Sequence, residues 1–184
     1  MNTAEAIDLL EDAVPPRAGV WADFGAGEGT FTRALVARLG PEGRVVALDR
    51  ERRAIAALER WSSRNAARVL PVLADFTAPL DLPRLAGAPL DGILCANALH
   101  FVADPESVLA RCRSWLHPGG RLVVIEYEGR EPSRWVPHPV SSARLGSLLA
   151  AAGFGAPAIT ATRPSAYGGS LYVAAADRLD PDRG

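Results

Sequence analysis

The densest chemistry in the sequence lies in the run Ala22-Asp23-Phe24-Gly25-Ala26-Gly27-Glu28-Gly29-Thr30. Glycines at alternate positions permit a tight turn and let a ligand approach the backbone with no Cβ in the way. Asp49 follows Gly25 by 24 residues, close to the ~20 at which an acid ending a second strand reaches a ribose diol. The two features together suit an adenosine ligand.

The glycine spacing narrows which one. A dinucleotide pyrophosphate needs G-x-G-x-x-G, the third glycine packing a helix whose N-terminus faces phosphate. Here the motif is G-x-G-x-G, with Thr30 where that third glycine would stand. Glu28 adds a carboxylate that opposes an anionic pyrophosphate but not a cationic sulfonium. The loop therefore favours S-adenosylmethionine over a nicotinamide dinucleotide. Methyl transfer from a sulfonium is an in-line displacement in which charge disperses, so alignment and exclusion of water matter most and no base is obligatory. If the acceptor is a phenol, thiol, enol or carbon acid, the candidate bases near strand ends or the loop beyond are His100, Glu126, Tyr127 and His138, with His100 ranked first. Arg130, Arg134 and Arg163 are candidates to hold a carboxylate or phosphate on the acceptor, and Trp135, Tyr167 and Tyr172 to line its pocket.

These residues need a scaffold, and the pattern supplies one: apolar runs of strand length alternate with helix-like stretches, as in a parallel sheet covered on both faces. Thr3 is expected to cap a first helix through Ile7, Leu10 and Val14, with Pro15-Pro16 stopping it before a strand at Val20 to Phe24. Helices are expected over Thr30 to Leu39 and Glu51 to Trp61, and strands over Arg44 to Leu48, Val69 to Leu73 and Gly92 to Ala96. The stretch Pro79 to Pro89 reads as a proline-rich connection. Asp104-Pro105-Glu106 opens a helix that runs to about Leu116, and His117-Pro118-Gly119-Gly120 reads as a turn into a strand at Arg121 to Tyr127. A loop from Glu128 to Pro139 follows, then a helix capped by Ser141 or Ser142, then two β runs, Ala158 to Thr162 and Leu171 to Ala175, that look antiparallel. The expected organisation is one domain over residues 1–184 with a frayed tail at 177–184.

Composition excludes several functions. With 20 basic residues against 21 acids and a net charge of -1, no basic field is available to attract nucleic acid or an anionic membrane. Every basic residue is arginine, so Schiff-base or lysine-nucleophile chemistry is absent. Cys95 and Cys112 sit in apolar patterns rather than at metal-ligand spacing, so reduced, buried thiols and no metal are expected. No charged-plus-apolar leader opens the chain, and a cytoplasmic location is expected.

Val20 to Thr30, Val45 to Arg50, Leu73-Ala74-Asp75-Phe76, Asp91 to Phe101 and Leu116 to Leu122 together resemble the successive motifs of the Rossmann-like class I S-adenosylmethionine-dependent methyltransferases. The resemblance is nearest to the small-molecule branch typified by ubiquinone and menaquinone biosynthesis methyltransferases, through Asn97-Ala98-Leu99-His100 and Leu116-His117-Pro118-Gly119-Gly120-Arg121. It implies a three-layer α/β/α sandwich, with a seven-stranded, mostly parallel sheet whose last strand is antiparallel. It further implies that Asp23, Gly25, Ala26 and Gly27 line the methionine end, that Asp49 binds the ribose hydroxyls and that Arg50 covers the adenine. Asp75 would accept from the adenine amino group with Phe76 beside the ring, and Asn97 and Ala98 would close the wall near the sulfonium. S-adenosylhomocysteine would be the product.

On the acceptor side, His100, Tyr127, Trp135, His138 and Tyr167 are the expected substrate contacts for a small molecule, in a monomer or homodimer. The chain departs from many relatives in having a short segment before Val20 and no inserted cap, so the pocket is expected to be open, covered by the 128–139 loop, or completed by another subunit. Each residue alone has a plainer structural role available, Gly25 and Gly27 as turn glycines, Asp75 as a cap, His100 as a wall residue. Order and spacing together carry the reading. A nicotinamide-dependent oxidoreductase is disfavoured by the missing third glycine and the absence of lysine, and a nucleic-acid methyltransferase by the lack of a basic stripe and of an Asn/Asp-Pro-Pro-aromatic segment near Asn97. A non-catalytic S-adenosyl-binding protein remains an alternative.

Overall fold

The computed structural model describes residues 1–166 and 168–180. Its elements are α1 Thr3–Leu9, β1 Val20–Phe24, α2 Thr30–Leu39, β2 Arg44–Asp49, α3 Arg52–Asn65, β3 Val69–Leu73 and α4 Leu82–Ala86. They continue with β4 Leu90–Ala96, a 3₁₀ turn Leu99–Phe101, α5 Pro105–Trp115, β5 Leu116–Glu128, α6 Ser142–Ala151, β6 Ala158–Pro164 and β7 Ser170–Asp177. The strands form one seven-stranded sheet in the order β3-β2-β1-β4-β5-β7-β6. β1 to β5 pair in parallel, and β7 is antiparallel to both β5 and β6. This is the expected Rossmann-like sandwich with an antiparallel last strand. The chain builds outward from β1 to β2 and β3, then returns to add β4 and β5 on the other side. The order therefore reverses at β1, and a crevice opens above the carboxyl ends of β1 and β4.

Alternation along the strands fills two cores. Trp21 and Val45 face α1 and α2, packing with Leu9, Leu10 and Leu35. Ala22, Phe24, Val46 and Leu48 face the other way, toward α4, α5 and α6, with Leu82, Leu109 and Leu145. Asp23 shares the face of Trp21, which sends its side chain beneath α2 rather than up into the crevice. On β5 the same rule gives Val124 and Glu126 one face and Val123 and Ile125 the other.

The structure corrects several expected boundaries. α1 is capped by Asn2, not Thr3: the Asn2 side chain accepts from the Glu5 N–H at 3.0 Å and Glu5 accepts from the Asn2 N–H at 2.8 Å, a reciprocal capping box. The proline-rich connection contains the short helix α4, started by Asp81 accepting from the Arg84 N–H and by Pro83 in its first turn. α3 runs on past Trp61 to Asn65. His117 to Gly120 is not a chain reversal but an irregular extension of β5: Leu116 pairs with Leu90, the register shifts, and Gly119 takes φ +77° to absorb the bulge. The expected fraying does not hold at Asp177 and Arg178, because Asp177 pairs in β7, the Arg178 N–H donates to Gly120 O at 2.8 Å and its guanidinium donates to Leu116 O. Residues 181–184 lie outside the described residues. Asp104 and Ser141 cap α5 and α6 as expected.

Candidate functional site

At the carboxyl ends of β1 to β4 the strands leave a cavity of about 220 Å³, lined by Gly25, Asp49, Asp75, Phe76, Asn97 and Ala98 among others. Its floor is the glycine loop. Gly25 and Gly27 have φ +69° and +54°, and a Cβ on Gly25 would stand 2.9 Å from the Ala98 Cβ. The loop is fastened by the next strand: Asp49 Oδ2 accepts from the Gly27 N–H at 2.7 Å, and Asp49 Oδ1 from the Glu51 N–H at 2.8 Å. One carboxylate thus fixes both the loop and the start of α3 while facing the cavity. Gly29, the last of the three glycines, serves packing instead, since a Cβ there would lie 2.3 Å from Leu58 Cδ2 of α3.

Asp75 and Phe76 follow β3 on the cavity's far rim. Asp75 Oδ1 accepts from the Thr77 hydroxyl at 2.6 Å and the Thr77 N–H at 2.8 Å. Those two bonds hold the carboxyl below the usual carboxylate range. Phe76 stacks on buried Phe24, ring centroids 5.0 Å apart. Arg111 on α5, a residue the sequence reading did not single out, donates to the carbonyls of Phe76, Thr77 and Ala78 and holds this loop in place. Only its helical position, one face of α5 pointing up toward the strand ends, could have signalled this.

Among the expected cofactor residues, Gly25, Asp49, Arg50, Asp75, Phe76, Asn97 and Ala98 line this cavity. Asp23 does not. It is 1 % exposed, and its Oδ2 accepts from the Thr32 hydroxyl of α2 at 2.6 Å. Burial, and to a lesser degree the charge of Asp49, raises its pKa to about 7 against the pull of the Thr32 bond. Ala26 and Gly27 shape the loop without lining the cavity, Ala26 through its N–H to Leu48 O. Glu28 is exposed and lines neither this cavity nor the next, so the loop's preference rests on its glycines rather than on that carboxylate.

A second cavity of about 520 Å³ adjoins the first and shares Asn97 and Phe101 with it. Its other walls are His100, Tyr127, Arg130, Ser133, Trp135 and Val136. His100, in the turn after β4, is 3 % exposed and Glu126 at the end of β5 is 0 % exposed. The Glu126 carboxylate takes both groups His100 offers it: the backbone N–H at 3.0 Å and ring Nδ1 at 2.7 Å. With Nδ1–H donated to a carboxylate, Nε2 is the ring nitrogen left to accept a proton. Asn97 stands at φ +51° in the shared wall, and its Oδ1 is buried without a hydrogen-bond partner. A buried, unbonded carbonyl oxygen is costly unless a ligand completes it.

The loop before α6 forms the cover. Trp135 lies on it 68 % exposed, with the Arg134 guanidinium 4.3 Å from its ring. Arg134 itself lines neither cavity. His138 is not a wall residue; its N–H donates to His100 O at 2.9 Å and ties the cover to the turn. Arg163 is elsewhere, on β6 beside Asp8 of α1 at 3.9 Å. Tyr172 is buried in the core and its hydroxyl donates to Val140 O at 2.8 Å, so it anchors the cover rather than lining the pocket. Tyr167 lies outside the described residues. Cys95 and Cys112 are free and buried, and burial pushes the Cys112 thiol up to about 12. Among the described residues no group of His, Cys, Asp and Glu could hold a metal, and no helix is long and apolar enough to cross a membrane.

The first cavity brings together the Asp49 and Asp75 carboxylates, the Phe76 ring and the unbonded Asn97 Oδ1, a set whose chemistry suits an adenosyl cofactor with an amino-acid arm. The family model for a methyltransferase domain matches residues 22–122. An uncharacterized 37.1 kDa protein of a Streptomyces fradiae transposon is 32 % identical over 171 residues, 82 % of this chain and 48 % of that protein. The ribosomal RNA small subunit methyltransferase H of Paracidovorax citrulli is 50 % identical over 52 residues, 28 % of this chain and 17 % of that protein. The ubiquinone biosynthesis O-methyltransferase of Xylella fastidiosa is 32 % identical over 118 residues, 64 % of this chain and 46 % of that protein. The chain thus spans half or less of the length of these curated relatives. A solved Burkholderia thailandensis 1,6-didemethyltoxoflavin-N1-methyltransferase, with its substrate and S-adenosylhomocysteine bound, superposes at TM-score 0.76 with 24 % identity, covering 97 % of this chain and 78 % of that one.

Proposed function

Since the chain belongs to the methyltransferase domain family, we propose that it transfers a methyl group from S-adenosylmethionine to a small molecule whose accepting atom carries an acidic proton. The bound cofactor supplies an electrophilic methyl on a cationic sulfur, which leaves as a neutral thioether. The chain's own residues do the rest. Asp49, Asp75 and Phe76 orient the donor's sugar and base. The Asn97 side chain marks the junction at which donor and acceptor meet. His100 Nε2 takes the acceptor's proton as the new bond forms, and Glu126 keeps the ring in the required tautomer and stabilises the imidazolium.

The observation that carries this reading is the junction itself: a glycine-floored cavity with two strand-end carboxylates opens into a second, larger cavity holding a buried histidine–carboxylate pair. A scaffold that only binds a nucleoside has no need of the second feature. The relatives that act on ribosomal RNA match between 28 % and 49 % of this chain, and a net charge of -1 gives no overall basic field for a polyanion. The apolar second cavity favours a compact, planar acceptor, in keeping with the ring compound held by the Burkholderia enzyme.

Thermal melting with S-adenosylhomocysteine, S-adenosylmethionine and NAD tests the cofactor, because a ligand at 100 times its Kd adds about 2.7 kcal/mol of stability. The two S-adenosyl compounds should raise Tm and NAD should not; a rise with NAD alone refutes the reading. Transfer of a labelled methyl group to components of a metabolite extract, read by mass spectrometry, then identifies the acceptor.

A further inference from the structure

Arg38, Arg44, Arg111, Arg113, Arg121, Arg144 and Arg178 each donate to backbone carbonyls or to a carboxylate. Arg130 is different. It is half-buried in the wall of the second cavity, with its Cζ 5.2 Å from the centre of the Tyr127 ring. Among the described residues it forms no hydrogen bond or ion pair, and its Nε is buried without a partner. Arg111 and Arg178 also have an unbonded Nε, but there the outer nitrogens of the same guanidinium are held by carbonyls. Stacking on Tyr127 fixes the plane of the Arg130 group and leaves its edge uncommitted.

A half-buried guanidinium with no acceptor from the protein gains a charge-assisted pair when a ligand supplies one. Nε is buried, so the pair of outer nitrogens is the end that can meet a planar carboxylate, taking two parallel bonds. One guanidinium with no helix N-terminus or second cation in the wall is a weaker match for a dianionic phosphate. Tyr127 neighbours both groups, its ring 5.2 Å from Arg130 Cζ and 5.9 Å from the His100 ring, and with Phe101 and Trp135 in the same wall the lining suits a flat ring system.

We propose that the second cavity selects a planar hydroxy-carboxylic acid, its carboxylate paired with Arg130 and its hydroxyl directed at His100. This rests on the methyltransferase reading and adds the substrate class. It makes Arg130 the residue that separates acids from their neutral counterparts, while the His100–Glu126 pair attends to the hydroxyl.

The test uses the full chain saturated with S-adenosylhomocysteine, whose own titration comes first and reports on the cofactor reading separately. Two matched pairs of probes are then titrated calorimetrically: 1-hydroxy-2-naphthoate with its carboxamide, and 3-hydroxybenzoate with its carboxamide. In the wild-type protein at least one acid should bind at least about ten-fold tighter than its amide, equivalent to roughly 1.4 kcal/mol. In Arg130→Leu the ratio should fall to near one, with amide and S-adenosylhomocysteine affinities unchanged, and Arg130→Lys should restore only part of it because the fork is lost. Equal binding of acids and amides by the wild type, no binding of either pair, or a ratio that survives Arg130→Leu would each overturn the proposal. If S-adenosylhomocysteine binds in those cases the cofactor reading stands; if it fails to bind, both fall together.

Discussion

The two cavities are built in opposite ways. The cofactor crevice takes its residues from the ends of four adjacent parallel strands, each contributing a short stretch at a fixed depth. Its geometry is backbone geometry: positive φ at Gly25 and Gly27, and a carboxylate that reaches across one strand spacing to a loop N–H. The acceptor cavity joins a 3₁₀ turn, the end of β5 and a coil cover, so its shape depends on side chains meeting across long sequence separations. The first should tolerate little change in its backbone and much in its surroundings. The second should answer to single side-chain bonds.

The largest effect expected from that contrast lies in the crevice. Gly27→Val places a β-branched side chain at φ +54° in the loop that a ligand must approach. Affinity for S-adenosylhomocysteine should fall at least about a hundred-fold, roughly 3 kcal/mol, with the far-ultraviolet circular dichroism of the sheet retained. Calorimetric affinity within a few-fold of wild type would mean that the loop does not carry the cofactor. Next in size is the acceptor side. Glu126→Gln keeps volume and an acceptor for the His100 N–H, but replaces the buried anion that orients the ring. Labelled-methyl turnover should drop about 10²-fold in kcat with S-adenosylhomocysteine affinity unchanged. If cofactor affinity falls in parallel, the pair is a structural support of both cavities and the contrast collapses.

The same division governs what the sequence could disclose. Crevice residues are legible because strand, turn and helix follow one another locally, and a glycine or acid at a strand end keeps its meaning wherever the strand lies in the sheet. Gly25, Asp49, Asp75 and Asn97 were for that reason all found lining the crevice. Asp23 was not, because which face a strand residue adopts depends on the helix covering it, and here α2 offers Thr32. The acceptor wall is harder. His100 and Tyr127 sit at strand ends and were recognisable, yet Glu126 becomes the partner of His100 only when β4 and β5 pair side by side. Tyr172 and Arg163, equally plausible as aromatic and cationic lining, are drawn to Val140 and Asp8 by packing that no local pattern records. Arg111 binds three carbonyls more than thirty residues earlier in the chain, and only its position on α5 hinted at it.

Asp23 sharpens the comparison from below the crevice. Its folded pKa of about 7 lies above the 3.8 of a free side chain, so between those values the native state holds a proton that the unfolded chain has released. Stability from this group is therefore fully present below about pH 4 and lost as the pH rises through 7. Asp23→Asn retains an acceptor for the Thr32 hydroxyl and cannot ionise. Its Tm should exceed that of the wild type at pH 8, and the difference should shrink steadily on acidification to pH 4. A constant difference across that range would show that Asp23 is not the group being protonated.

Tyr172→Phe should have the smallest effect and bears most directly on whether the cavities are separable. The Tyr172 hydroxyl, on β7, makes one hydrogen bond to Val140 at the root of the cover, and burial keeps it un-ionised by raising its pKa well above the ordinary phenol value. Removing the oxygen leaves the ring in place in the core and costs about 1 kcal/mol. Glu126 lies on the neighbouring strand directly opposite Tyr172 in the register, so the ring also backs the His100–Glu126 pair. Loss of the bond should loosen the cover, raising KM for the acceptor a few-fold without changing S-adenosylhomocysteine affinity, since Val140 does not line the crevice. Equal weakening of both ligands would mean that the cover and the glycine loop move as one body, and the two cavities would have to be treated as a single site.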